Sequence, residues 1–236
     1  MLQFFIKNQN KLKVDMYSKL KTIKTGIVKP TKTIKPINKY IGLMAINSAS
    51  TSCSIVLSTG SALNSIFNSA HEKENLITTT YIGKDVIGQF GGLLCAMKLG
   101  KKVNNNTVKY ALVGTILQQV AIYLEYFSVF IKNDNFILPF LGVTSAIKNI
   151  SFITTGAVNA TNLQELTKKE EINMGELYSK VAGINTLSST FGMLIGMGLI
   201  HVVPSFTIRT YIVLPTLSLL SLWSISSATK IAQRKL

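Results

Sequence analysis

Beyond residue 39 the chain alternates long apolar segments with widely spaced polar turns, a pattern that predicts helices rather than strands. Val108–Ile131 carries few charges and is about 24 residues long, close to the roughly 20 needed to cross a bilayer. Val181–Val203, rich in glycine and serine and ended by Pro204, is a second span, and Thr210–Ala228, with a kink expected at Pro215, is a third. Tyr40–Ala70 is interrupted by Gly60, and Phe136–Ala160 contains Pro139 and Lys148. Thr78–Leu99 is closed by Gly100 and the polar run Lys101–Asn106, which read as a C-cap and loop. The expectation is an all-α, multi-helix, membrane-associated bundle of about three to six apolar helices. It occupies residues 40–236 and follows a leader and linker at residues 1–39.

Charge sharpens that division. Ten lysines between Lys7 and Lys39, against Asp15 alone, supply more than half of the formal charge of +15. Leu12, Met16, Leu20, Ile23 and Ile27 follow helical spacing while Lys11, Lys19, Lys21 and Lys24 point elsewhere, which makes the leader cationic and amphipathic. It suits an address for a mitochondrion or plastid, a polybasic juxtamembrane segment or a solvated tail. The leader has no arginine, unlike usual presequences, but the whole chain uses 23 lysines and 2 arginines. Leu2–Ile6 is too short for the apolar region of a secretory signal. No interleaved aromatic platform or reader motif accompanies the basic block, so nucleic acid is not the expected partner. Lys29-Pro30 and Lys35-Pro36 break the helix and mark Thr31–Lys39 as linker.

Composition supports a lipid-facing body, because 47% of residues are hydrophobic and only 15% charged, against roughly 25% in an average soluble domain. Gly88 and Gly92 form one G-x-x-x-G pair, and Gly192 and Gly196 another, with Gly198 nearby. Such pairs let helix backbones approach closely, within the chain or across a homo-oligomer contact. The within-chain use is the expected one.

Ionisable groups inside apolar segments normally face the protein interior and pair or line a polar path. Asp85 lies three and seven residues before Gly88 and Gly92, so it is expected on their packing face. Gln118, Glu125 and Lys132 share a heptad face, as do Lys148 and Thr155. Asp85 or Glu125 paired with Lys148 is the candidate ion pair or polar path, with structural pairing or snorkelling to an interface as the alternative.

No catalytic constellation is visible. His71 lies in a polar stretch and His201 at a helix end, neither beside a carboxylate or nucleophile in sequence. Cys53 and Cys95 have neither C-x-x-C nor His-Cys spacing, which argues against a disulfide framework, a metal site or a bound metal, and both are expected to be buried. Gly83-Lys84 followed by Gly88 and Gly91-Gly92 fails as a phosphate loop because the lysine precedes the glycines and no serine or threonine follows it. The expectation is a non-enzymatic protein with no cofactor.

Three blocks carry a resemblance. The first is Lys84-Asp85 with Gly88, Gly91-Gly92 and Leu93-Leu94; the second runs from Gln119 through Glu125 to Phe127 and on to Pro139–Asn149. The third is Asn162-Leu163, Glu165, Thr167 and Lys169, placed between two apolar helices. Together, over Ile41–His201, they resemble the root UVB-sensitive (RUS) family, whose third block reads Asn-(Leu/Met)-x-(Asp/Glu)-x-(Ser/Thr)-x-Lys. Val86 stands where the family usually has a further glycine, and Thr154–Asn159 is shorter than the family's segment and lacks its arginine. The resemblance implies a helical, membrane-associated protein of plastids or other organelles, linked to development and vitamin B6 homeostasis.

Read locally, Thr167 with Glu170 three residues on forms a capping box at a helix start. The alternative is an exposed loop that holds a partner or an anion through Lys168 and Lys169. The resulting expectation is a membrane protein acting as scaffold or small-metabolite carrier in an organelle, with lipid and a related protein or second copy as partners. Its rival is a peripheral helical module that binds a partner protein without crossing the bilayer.

Overall fold

Among the described residues, six long helices make the body of the protein. The computed structural model describes residues 35–69, 74–131, 133–170 and 172–234. Most of the basic leader, and His71, lie outside the described residues. The helices are α1 (Lys35–Ser69), α2 (Glu74–Asn105), α3 (Thr107–Phe127), α4 (Asp134–Glu170), α5 (Met174–Val202), the single turn α6 (Phe206–Ile208) and α7 (Leu214–Gln233). A 3₁₀ turn, Ser128–Phe130, follows α3, and a π turn, Arg209–Val213, joins α6 to α7. No strand occurs among the described residues.

Several boundaries differ from the sequence pattern, each for a local reason. Lys35–Lys39, read as linker, forms the start of α1, because proline in a first turn lacks only an N–H that would be unpaired there anyway. Helix α2 runs through Gly100 and the polar run to Asn105, held by Val103, which is completely buried. Only Asn106 separates it from α3, and its side chain caps the new helix by accepting from the Lys109 N–H at 3.2 Å. Thr167–Glu170 is the last turn of α4 rather than a helix start, where Lys168 and Lys169 complement the carbonyl end of the helix dipole. The cap of α5 is instead Asn173, which accepts from Gly175 N–H at 2.8 Å and Glu176 N–H at 3.4 Å. Pro215 opens α7 behind the π turn, in which the Leu214 N–H reaches back to the Arg209 carbonyl.

Side-chain contacts fix the helix directions. Tyr40 Oη donates to Asn159 Oδ1 at 2.6 Å, Thr161 Oγ1 to Asn104 Oδ1 at 2.9 Å, and Lys169 Nζ to the Ala232 carbonyl at 2.5 Å. The start of α1 and the ends of α2, α4 and α7 therefore gather at one end of the bundle. At the other end a Cβ on Gly83 would lie 3.1 Å from Leu138, one on Gly60 would lie 3.4 Å from Ile200, and the Tyr126 and Phe206 rings stack with centroids 4.8 Å apart. The long helices thus alternate up and down.

Among the described residues, five helical stretches are long and apolar enough to cross a membrane: Pro36–Leu63, Thr107–Phe130, Phe136–Glu170, Met174–Val202 and Phe206–Gln233. Their outward faces match, since Leu187, Phe191, Leu194 and Ile195 of α5 are each more than half exposed. A surface so apolar fits a membrane location.

Candidate functional site

The interior is the reverse of the surface. Serines and threonines on α1, α3, α4 and α7 are buried, several bonding back to the carbonyl a turn before, as Ser54 does to Ser50 at 3.0 Å and Thr154 to Ile150 at 2.7 Å. Others bond across helices and build a polar core at three levels.

The first level is charged. Glu125 of α3, only 2% exposed, takes Lys148 Nζ of α4 as an ion pair, and Ser58 Oγ of α1 donates to the same carboxylate oxygen at 2.7 Å. The buried Leu57, Ile122, Tyr126 and Leu214 pack together at this level and keep it apolar around the charges. An isolated charge would be costly to bury, and each member of the pair offsets that cost for the other.

Thr51, Gln118 and Thr155 stand seven residues from Ser58, Glu125 and Lys148 on the same three helices, about 10 Å along the axis at 1.5 Å per residue. They line a cavity of about 480 Å³ together with Asn47, Ser52 and Asn159. Helix α5 closes one side with Asn185 and Ser189, while Ile55, Phe152 and Met193 add apolar wall. Ser52 and Ser189 hydroxyls meet at 2.7 Å, and Ser221 of α7 bridges Thr51 at 3.2 Å and Asn47 at 2.7 Å. Ser48 Oγ donates to the Asn185 backbone carbonyl at 2.9 Å, yet the buried side-chain oxygen of Asn185 has no hydrogen-bond partner. The lining residues are all uncharged.

The third level is the end of the bundle. Asn159, which lines the cavity, accepts from Tyr40; one turn on, Asn162 is completely buried, donates to Thr229 Oγ1 at 3.2 Å and accepts from Gln233 Nε2 at 3.2 Å. Lys169, seven residues further, donates to the Ala232 and Arg234 carbonyls at 2.5 and 2.7 Å and so caps α7.

A model of the vitamin B6 photo-protection and homoeostasis domain matches residues 32–235. The chain belongs to the RUS family. No curated protein and no solved structure matches it. The match covers all three polar levels, so the RUS domain and the helical body are the same segment.

Within that RUS domain the candidate residues separate. Lys148 meets Glu125 and not Asp85, whose carboxylate is 53% exposed and pairs with its neighbour Lys84 at 2.9 Å. Asp85 is not on the packing face, which continues instead through Gly88, Gly91 and Gly92: a Cβ at Gly88 would lie 2.8 Å from Ser145 Cβ, and one at Gly92 3.1 Å from Asn149 Cβ, both on α4. Gly192 and Gly196 lie against the α1 backbone at Ala49 and Cys53, and Cys53 is buried. Of the third block, Asn162 and Lys169 turn inward to α7, Thr167 bonds the Gln164 carbonyl at 2.9 Å, and Glu165 makes a partly exposed pair with Lys168 at 3.6 Å. His201 is exposed at the end of α5, and no group of three His, Cys, Asp or Glu suited to a metal occurs among the described residues.

Sequence reasoning had not singled out Ser58, Thr51, Asn47, Asn159, Asn185 or Tyr40. A signal was present: Asn47, Thr51, Ser54 and Ser58 recur at four, three and four residues, the spacing of one buried helix face.

Proposed function

We propose that this RUS domain is a non-enzymatic membrane carrier or binding protein for a small, uncharged metabolite rich in hydrogen-bonding groups. The observation that carries this reading is the cavity of about 480 Å³ whose hydroxyl and amide lining includes the unpartnered Asn185 Oδ1. An orphan acceptor in a buried site costs about 1–3 kcal/mol, which a donor on a bound solute would offset. Phe152 and Met193 supply apolar contact for a ring. The charged level of Ser58, Glu125 and Lys148 lies on the same helix faces, where a polar path would continue. The family's description makes vitamin B6 vitamers the first solutes to test, since pyridoxine is an uncharged ring bearing hydroxyl groups.

The test is saturable uptake or binding of labelled pyridoxine by the purified chain in proteoliposomes. Wild type should show it, and Asn185→Leu or Thr51→Val should weaken it about tenfold, the loss of one buried hydrogen bond to solute. Uptake equal to that of empty vesicles would overturn the carrier reading for this ligand.

A second reading rests on α5, of whose most apolar window only 11% is buried within the bundle. That face would equally suit a partner protein on a peripheral module. Alkaline carbonate extraction separates the two, applied to the full chain and to a form lacking residues 1–34. Retention of both forms in the pellet supports the integral carrier, and release supports the module. Delivery of only the full chain to a mitochondrion or plastid would make the leader an address.

A further inference from the structure

At the end of the bundle where α1 starts and α7 finishes, a cleft of about 640 Å³ opens between α1, α3 and α7. Lys39, Lys230 and Arg234 line it, all three exposed, and none of them takes part in the ion pairs among the described residues. Among the described residues, no acidic side chain lines the cleft. Its other wall is apolar, formed by Leu43, Val108 and Trp223. Trp223 is the only tryptophan in the chain and is 56% exposed; one turn deeper along α7, Leu219 and Leu220 continue the apolar surface.

Three cations without an ion-pair partner among the described residues, above an apolar wall, match an amphiphile with an anionic head. Basic pockets between membrane helices hold phospholipid headgroups in this way, and a tryptophan at the headgroup level anchors the same boundary. Free phosphate would satisfy the cations but leave the wall unused. We propose that this cleft is a specific site for an anionic phospholipid, with the phosphodiester between Lys39, Lys230 and Arg234 and an acyl chain against Trp223. The site is separate from the neutral cavity, and its occupancy does not depend on what that cavity carries.

The single tryptophan makes the site directly observable. Full-length protein in a neutral detergent is titrated with short-chain phosphatidylglycerol, phosphatidylcholine or inorganic phosphate while Trp223 emission is followed. A saturable shift with phosphatidylglycerol, at least tenfold tighter than with phosphatidylcholine, supports the proposal. The Lys39→Gln/Lys230→Gln/Arg234→Gln variant should then bind phosphatidylglycerol roughly a hundredfold more weakly, at about fivefold per cation. Lys102→Gln/Lys109→Gln removes exposed charge elsewhere at the same end and should leave the affinity unchanged. Equal shifts with both lipids, or an equal loss in the control variant, would overturn the site. Inorganic phosphate alone reproducing the shift would overturn the lipid assignment in favour of a soluble phosphate ligand. Far-ultraviolet circular dichroism verifies that each variant keeps its helices.

Discussion

One level of the polar core depends on a single carboxylate. Glu125 is held by Lys148 from α4 and by the Ser58 hydroxyl from α1, so three helices meet at one group. The heptad spacing of Gln118 and Glu125 made their common face legible in the sequence, but not which acid Lys148 would meet. Asp85 and Glu125 were equal candidates because only the packing of α3 beside α4 brings Glu125 across from Lys148. A buried pair is a poor net stabiliser, whereas removing one member leaves a charge without compensation. Lys148→Met should therefore lower stability by about 3–5 kcal/mol, while the double variant Glu125→Gln/Lys148→Met should recover most of that loss. Thermal melts of both variants in one detergent check this. A single variant that melts like wild type would mean that Glu125 reaches water.

Between helices, small residues decide which elements touch. The apolar segments were legible as helices, yet their ends were not: α2 passes Gly100 because Val103 is buried beyond it, and α4 continues through Thr167 because Asn162 and Lys169 are anchored on α7. Those anchors are tertiary, so local cap and breaker signals pointed the other way. The glycine pairs mark contacts that depend on distance alone. A Cβ at Gly192 would lie 2.8 Å from the Ala49 backbone, where nothing can rotate aside, whereas one at Gly198 meets no atom within 4 Å. Gly192→Ala should thus destabilise by about 1–3 kcal/mol through overpacking of α5 on α1. Gly198→Ala should be neutral or stabilising by up to about 1 kcal/mol, since alanine is the better helix former. Equal melting temperatures for the two variants would show that α5 does not rest on α1 this closely.

Across the whole molecule, charge and helix direction make one statement. The alternation of the long helices brings the start of α1 and the ends of α2, α4 and α7 to the same side, with Lys39, Lys102, Lys109, Lys169, Lys230 and Arg234. At the opposite end Phe127 and Phe130 surround Phe206, with Arg209 and the paired Lys84 and Asp85 among the charges there. Sequence alone left the span count open, and with it every assignment of sides; among the described residues five helical stretches are long and apolar enough to cross, and the helix directions sort the helix ends into two groups. The lysine-rich end is expected on the side that retains positive charge, and the aromatic end across the membrane. Single cysteines introduced by Asn38→Cys, Asn105→Cys and Gln164→Cys, in a background with Cys53→Ala and Cys95→Ala, should all react with an impermeant maleimide from one face of sealed vesicles. Thr207→Cys should react only from the other. Labelling of Asn38→Cys and Asn105→Cys from opposite faces would break the up-and-down arrangement. Labelling of all four positions from a single face would place the bundle on the membrane surface and return α5 to the role of a protein-binding face.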